Sequence, residues 1–232
     1  MTTAVGGRRS KVEGRGSKVG GHRARFAVRW VLAVVVLAAA GCTDVQAPQR
    51  SERYEWRLGG ATSFHWPRES LPVRIWVEDA EDFPAHVAGA IADWRSAFLY
   101  GELEARLVDD SLGADVIVRN APAPAPAAGV FAVRLLRRAP ECQGATDLNV
   151  GGDLLQLPVR VWVNERLSGP GLPACYRLTL RHELGHAFGI WNHSASDADA
   201  MFTDPVLDDL SEADRQTMEY LYHFPPDVTP VR

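Results

Sequence analysis

Two histidines four residues apart on an otherwise apolar stretch limit what this chain can be. They lie in Leu178-Thr-Leu-Arg-His-Glu-Leu-Gly-His-Ala-Phe188. On a helix, residues at this spacing share a face with about 6 Å between Cβ atoms, so His182 and His186 can turn ring nitrogens toward one tetrahedral zinc ion. Glu183 stands beside that face. It is badly placed as a ligand but well placed to hold and deprotonate a metal-bound water, whose pKa the ion lowers to about 7. A surface helix with merely polar histidines is the competing reading. It does not account for the flanking Leu178, Leu180, Leu184 and Phe188, among which two imidazoles and a carboxylate are costly to bury without a partner such as a metal. A catalytic zinc takes three protein ligands and keeps a fourth position open. After Gly189 the chain can leave the helix with positive φ, and His193 is the candidate third ligand on the returning segment.

The surrounding pattern predicts an α/β (α+β) domain. Residues 71 to 78 alternate apolar and polar positions and are rich in β-branched residues, which predicts a strand. A helix follows, with Asp82 as its cap, Pro84 in its first turn and Val87, Ile91, Trp94 and Phe98 on one face. Residues 103 to 108, 114 to 118, 130 to 136 and 157 to 164 read as further strands. The Ala-Pro run over 121 to 129 favours extended polyproline II and reads as a surface loop. The breaker cluster at 168 to 173 ends the sheet region, and the histidine helix is expected to begin near Ala174. A last helix over 211 to 222 has Ser211 at its cap and Asp214 where a capping box places its acid. The chain has 232 residues, 46% hydrophobic and 23% charged, which excludes collagen-like, coiled-coil and wholly disordered classes.

Charge is unevenly distributed. Arg8, Arg9, Arg15, Arg23, Arg25, Arg29, Lys11 and Lys18 face a single acid, Glu13, in residues 1 to 41, while the whole chain carries a net charge of −4. The body is therefore clearly acidic, which argues against a nucleic-acid partner. The basic leader precedes an apolar run over 30 to 40, too short for a bilayer, which needs about 20 residues. It ends in Ala39-Ala-Gly-Cys42, the layout of a secretory signal peptide. This ending resembles the lipobox of bacterial lipoproteins, with Ala39 where Leu is usual. The resemblance implies a signal peptide over 1 to 41, Cys42 as lipid anchor, and a location in the cell envelope outside the cytoplasmic membrane, with plain secretion as the alternative. The polar residues 43 to 65 then read as a tether and 66 to 232 as the domain. In an exported chain Cys142 and Cys175 either bridge each other or stand as two thiols.

The residues 182 to 189, HELGHAFG, together with Ser194 after His193 and Asp199-Ala-Met-Phe202, resemble the metzincin metallopeptidases, and within them the matrixins. Met201 lies eight residues after His193, the matrixin spacing for the Met-turn. Residues 210 to 214 and Leu221-Tyr222 resemble the closing helix of that family. The resemblance implies a twisted mixed sheet with two long helices, the zinc-site helix, a Met-turn and a C-terminal helix. It assigns zinc to His182, His186 and His193, the general base to Glu183, and the hydrophobic floor beneath the metal to Met201. It also makes 202 to 207 one wall of the pocket after the scissile bond. The sequence departs from the family pattern at one point: the third histidine is expected at 192, where Asn192 stands, so either a longer turn delivers His193 or Asn192 is a weak oxygen ligand.

The implied function is zinc-dependent endopeptidase activity, with extended peptide aligned on an edge strand near 130 to 136. The alternative is an inactive, zinc-stabilised envelope lipoprotein that binds a partner. Inhibition by a propeptide cysteine, as in animal matrixins, is not expected, since no such motif precedes residue 71. Structural Ca²⁺ is not assignable: Asp147, Asp153, Asp197, Asp199, Asp204, Asp208 and Asp209 could donate to calcium, but a solvated acidic surface is the preferred reading.

Overall fold

The computed structural model describes residues 50 to 125, 132 to 138, 142 to 165 and 171 to 232. The expected leader over 1 to 41 and Cys42, the expected lipid anchor, lie outside these, as do parts of the Ala-Pro loop and of the breaker cluster. Among the described residues no helix is long and apolar enough to cross a membrane.

The element order is β1 (Val73–Val77), α1 (Phe83–Arg95), β2 (Ala105–Val108), β3 (Val116–Asn120), β4 (Ala132–Arg138), β5 (Cys142–Gly151), β6 (Leu154–Glu165), α2 (Leu172–Phe188), α3 (Glu212–Tyr222) and β7 (Thr229–Val231). The strands form one mixed sheet in the order β2-β1-β3-β6-β5-β4, with β7 also paired to β6. β1, β2, β3 and β6 run parallel, whereas β5 runs antiparallel to both β6 and β4. A mixed sheet with three helices is the α+β class expected from sequence. The helix α2 packs on α1 on one side and on β5 and β6 on the other, so the histidine helix lies in the middle of the core.

Several boundaries differ from expectation. The outer strand is Ala132–Arg138, two residues beyond the predicted 130 to 136. Helix α2 begins at Leu172 instead of Ala174, because Pro173 suits a first turn, where no amide hydrogen is needed. Asp82 occupies the N-cap of α1 without a side-chain capping bond, while Ser211 and Asp214 form the expected capping box. Strand β5 was not foreseen at all.

The folded unit begins ahead of the expected boundary at residue 66. Arg50–Arg232 form one compact unit, and Trp56 and Phe64, read as tether, are fully buried in the core. The Trp191 amide donates to the Trp56 carbonyl at 2.7 Å, and Phe64 stacks on Trp191 with centroids 5.3 Å apart. Two large aromatics bury enough apolar area to overcome the polar composition around them.

Candidate metal centre

Helix α2 carries His182 and His186 on one face, both fully buried. Gly189 ends it at φ +126°, where a Cβ would lie 2.2 Å from the Phe64 carbonyl oxygen, so glycine is required on two counts. The chain then turns through Ile190, Trp191 and Asn192 and delivers His193 to the other two rings. One ligand atom from each of His182, His186 and His193 lies within 4.8 Å of the others. The Asn192 side-chain oxygen accepts the His193 backbone N–H at 2.9 Å, so Asn192 shapes the turn that presents His193.

The hydrogen bonds fix which nitrogens face inward. His182 Nδ1 lies 2.8 Å from the Ala200 carbonyl and His186 Nδ1 lies 2.6 Å from the Ile190 carbonyl. A carbonyl only accepts, so each Nδ1 carries the hydrogen and each Nε2 presents a lone pair. These two Nε2 atoms stand 3.1 Å apart. Two lone pairs at that separation repel unless a cation lies between them, and two imidazoles on one tetrahedral ion hold their nitrogens about 3.3 Å apart. The buried His193 Nε2 makes no hydrogen bond within the protein. Burial, and then the charge of His193, lower the His186 pKa to about 3, and burial lowers that of His193. All of this favours neutral imidazoles with converging donor atoms, a set that fits a first-row divalent ion.

Glu183 is fully buried and points toward β5. The Thr146 hydroxyl donates to Glu183 Oε2 at 2.6 Å. Across from it Gly144 leaves the space that Glu183 occupies: a Cβ there would lie 2.2 Å from Glu183 Oε1 and 2.6 Å from Thr179 Cγ2, so any larger residue would displace the carboxylate. Sequence reasoning missed both residues, since strand β5 itself was not read. The paired cysteines, with Cα atoms 5.8 Å apart, join the start of β5 to the first turn of α2, so the two elements flanking Glu183 are covalently linked.

Met201 is fully buried against the helix between the two histidines. A Cβ on Gly185 would lie 2.4 Å from its sulfur, and the Ser194 amide donates to its carbonyl at 2.9 Å. The segment after it is held at its far end, where Arg177 binds Asp208 at 2.8 Å, while Val206 and Leu207 are exposed. The candidate calcium donors are dispersed among other partners: Asp147 takes Arg134, Asp199 takes Ser194, and Asp209 takes Arg215. Among the described residues no second group of three metal-ligating side chains gathers.

No protein-family model matches the chain, and no curated protein matches it.

Proposed function

We propose that this chain is a zinc-dependent endopeptidase with a metzincin-like, matrixin-type domain, exported and held outside the cytoplasmic membrane by lipid on Cys42. The observation that carries the reading is the convergence of three imidazoles beside a buried carboxylate one residue from the first of them. Three nitrogen ligands leave a zinc ion one open position. His182, His186 and His193 would hold the ion through Nε2, and the ion would supply Lewis acidity toward a peptide carbonyl and toward water.

The rest of the chemistry belongs to the chain. The Glu183 carboxylate takes a proton from the attacking water as the C–O bond forms, and returns it to the leaving amine nitrogen as the C–N bond breaks. Thr146 fixes one carboxylate oxygen, so Glu183 enters each cycle already oriented. The carbonyls of Ala200 and Ile190 hold the two helix histidines in the tautomer that binds metal. Met201, packed under the helix, keeps the ligand platform from shifting. A zinc-stabilised binding protein is the alternative, but a purely structural centre gives no reason for a buried carboxylate beside it, held by Thr146 and spaced by Gly144.

The test is cleavage of an unbiased peptide mixture by the zinc-loaded protein beside Glu183→Ala. Cuts that vanish in the variant while bound zinc stays are expected. A folded, zinc-loaded protein that leaves the mixture intact favours the binding protein instead.

A further inference from the structure

The strand that borders the metal centre is β5, since Gly144 and Thr146 are the residues against Glu183. An extended peptide whose carbonyl is to meet both the metal and Glu183 has to lie next to that strand. The base must be within about 3 Å of the proton it takes, or one water away. Yet β5 is paired on both sides. Its Gly144, Ala145 and Thr146 face Val163, Trp162 and Val161 of β6 on one side. On the other they face Arg137, Leu136 and Leu135 of β4.

We infer that β4 is an autoinhibitory strap, occupying the place beside β5 that an extended substrate needs and withdrawing when substrate is admitted. This rests on the peptidase reading above. Strands in a sheet are about 4.8 Å apart, so a peptide in the position of β4 lies one spacing from the residues that touch Glu183. A peptide added to the outer edge of β4 lies two spacings away, roughly 10 Å, beyond the reach of the base. Strand β4 also runs antiparallel to β5 and presents a continuous backbone at the position of cleavage, as a peptide held by strand addition does.

The strap is fastened on the side away from the site. Arg134 makes a two-point contact with Asp147 of β5, at 2.6 Å and 2.8 Å, and Trp162 of β6 donates to the same carboxylate at 3.0 Å. Val133 and Leu135 are half-buried against the core. Strand β4 is held by one ladder, to β5, by contacts with α2 and, among its described side chains, by the Arg134–Asp147 ion pair, the bond from Arg134 to the Pro124 carbonyl at 2.7 Å and the partly buried Val133 and Leu135, whereas β5 is held by two ladders, the cysteine pair and α2. Thus β4 is the strand that can leave without taking the site apart.

Amide hydrogen exchange on the zinc-loaded Glu183→Gln protein, with and without a mixture of short random peptides, tests this. Loss of protection over 132 to 138 on adding peptide, with 143 to 149 still protected, is the expected result. Gained or unchanged protection over 132 to 138 overturns the strap. If the parent protein nonetheless cuts the mixture, only the strap has failed; if it does not, the peptidase reading has failed with it. Arg134→Gln, or Asp147→Asn from the opposite strand, should raise the cutting rate of the parent protein about fivefold or more. An unchanged or lower rate in variants whose β4 amides exchange faster also overturns the inference.

Discussion

The carboxylate of Asp214 and the backbone of Ala200 link the last helix to the metal centre. Asp214 accepts the Ala200 N–H at 2.7 Å, and the carbonyl of the same residue receives His182 Nδ1–H at 2.8 Å. The carboxylate also takes the Ser211 amide at 3.0 Å and the Tyr54 hydroxyl at 2.8 Å, and is itself fully buried. It caps α3 and, through the single residue Ala200, sets the orientation of a ligand ring.

Asp214→Asn keeps the shape but replaces one acceptor oxygen with a donor facing backbone amides. Leaving buried donors unsatisfied costs about 1 to 3 kcal/mol each, and outer-shell changes at metal sites cost about 10- to 100-fold in affinity. We expect a lower melting temperature together with weaker zinc binding, measured by thermal unfolding and by competition with a chromogenic chelator. Full zinc affinity in the variant would break the proposed link.

Thr146→Val removes the hydroxyl from Glu183 without changing side-chain volume much. A hydrogen bond to a charged group contributes about 1.5 to 3 kcal/mol, and each 1.4 kcal/mol is tenfold in rate. The variant should lose about 10- to 100-fold in kcat with KM little changed, and Thr146→Ser should restore most of it. Equal losses in both variants would assign Thr146 to packing alone.

Alkaline stability reports on the segment first read as tether. Burial, with the charge of and the hydrogen bond to Asp214, raises the Tyr54 pKa well above 10, so the folded state favours the neutral phenol. That contribution is complete below the unfolded value of about 10 and is lost as pH rises above it toward the folded value. Urea unfolding of the wild type should weaken more steeply between pH 9 and about 11 than that of Tyr54→Phe. Parallel curves would show that Tyr54 makes no such contribution.

Much of this site was legible because metal ligation imposes a rigid spacing on helical residues. His182, Glu183 and His186 follow from a period of 3.6, and Gly189 marks the break that frees His193. The preference for His193 over Asn192 follows from its spacing to Met201; how the longer turn presents it was not readable, because that depends on Asn192 bonding the next amide, a contact that only the folded turn creates. Strand β5 was invisible for a related reason. Gly144, Asp147 and Asn149 are poor strand formers, and Gly144 is there because Glu183 needs the space its side chain would fill. Trp56 and Phe64 were misread because polar neighbours outweighed them in composition, whereas in the fold each is placed individually. The second-layer contacts of Asp214 and Thr146 join residues far apart in sequence, and no local pattern announces them.

The most direct measurement is metal stoichiometry by elemental analysis of the purified protein, His193→Ala and Asn192→Ala. The account predicts one zinc per chain in the parent and in Asn192→Ala, and loss of tightly bound zinc in His193→Ala with the fold retained by circular dichroism. Zinc kept without His193 but lost without Asn192, or no metal in the parent, would contradict a three-histidine centre.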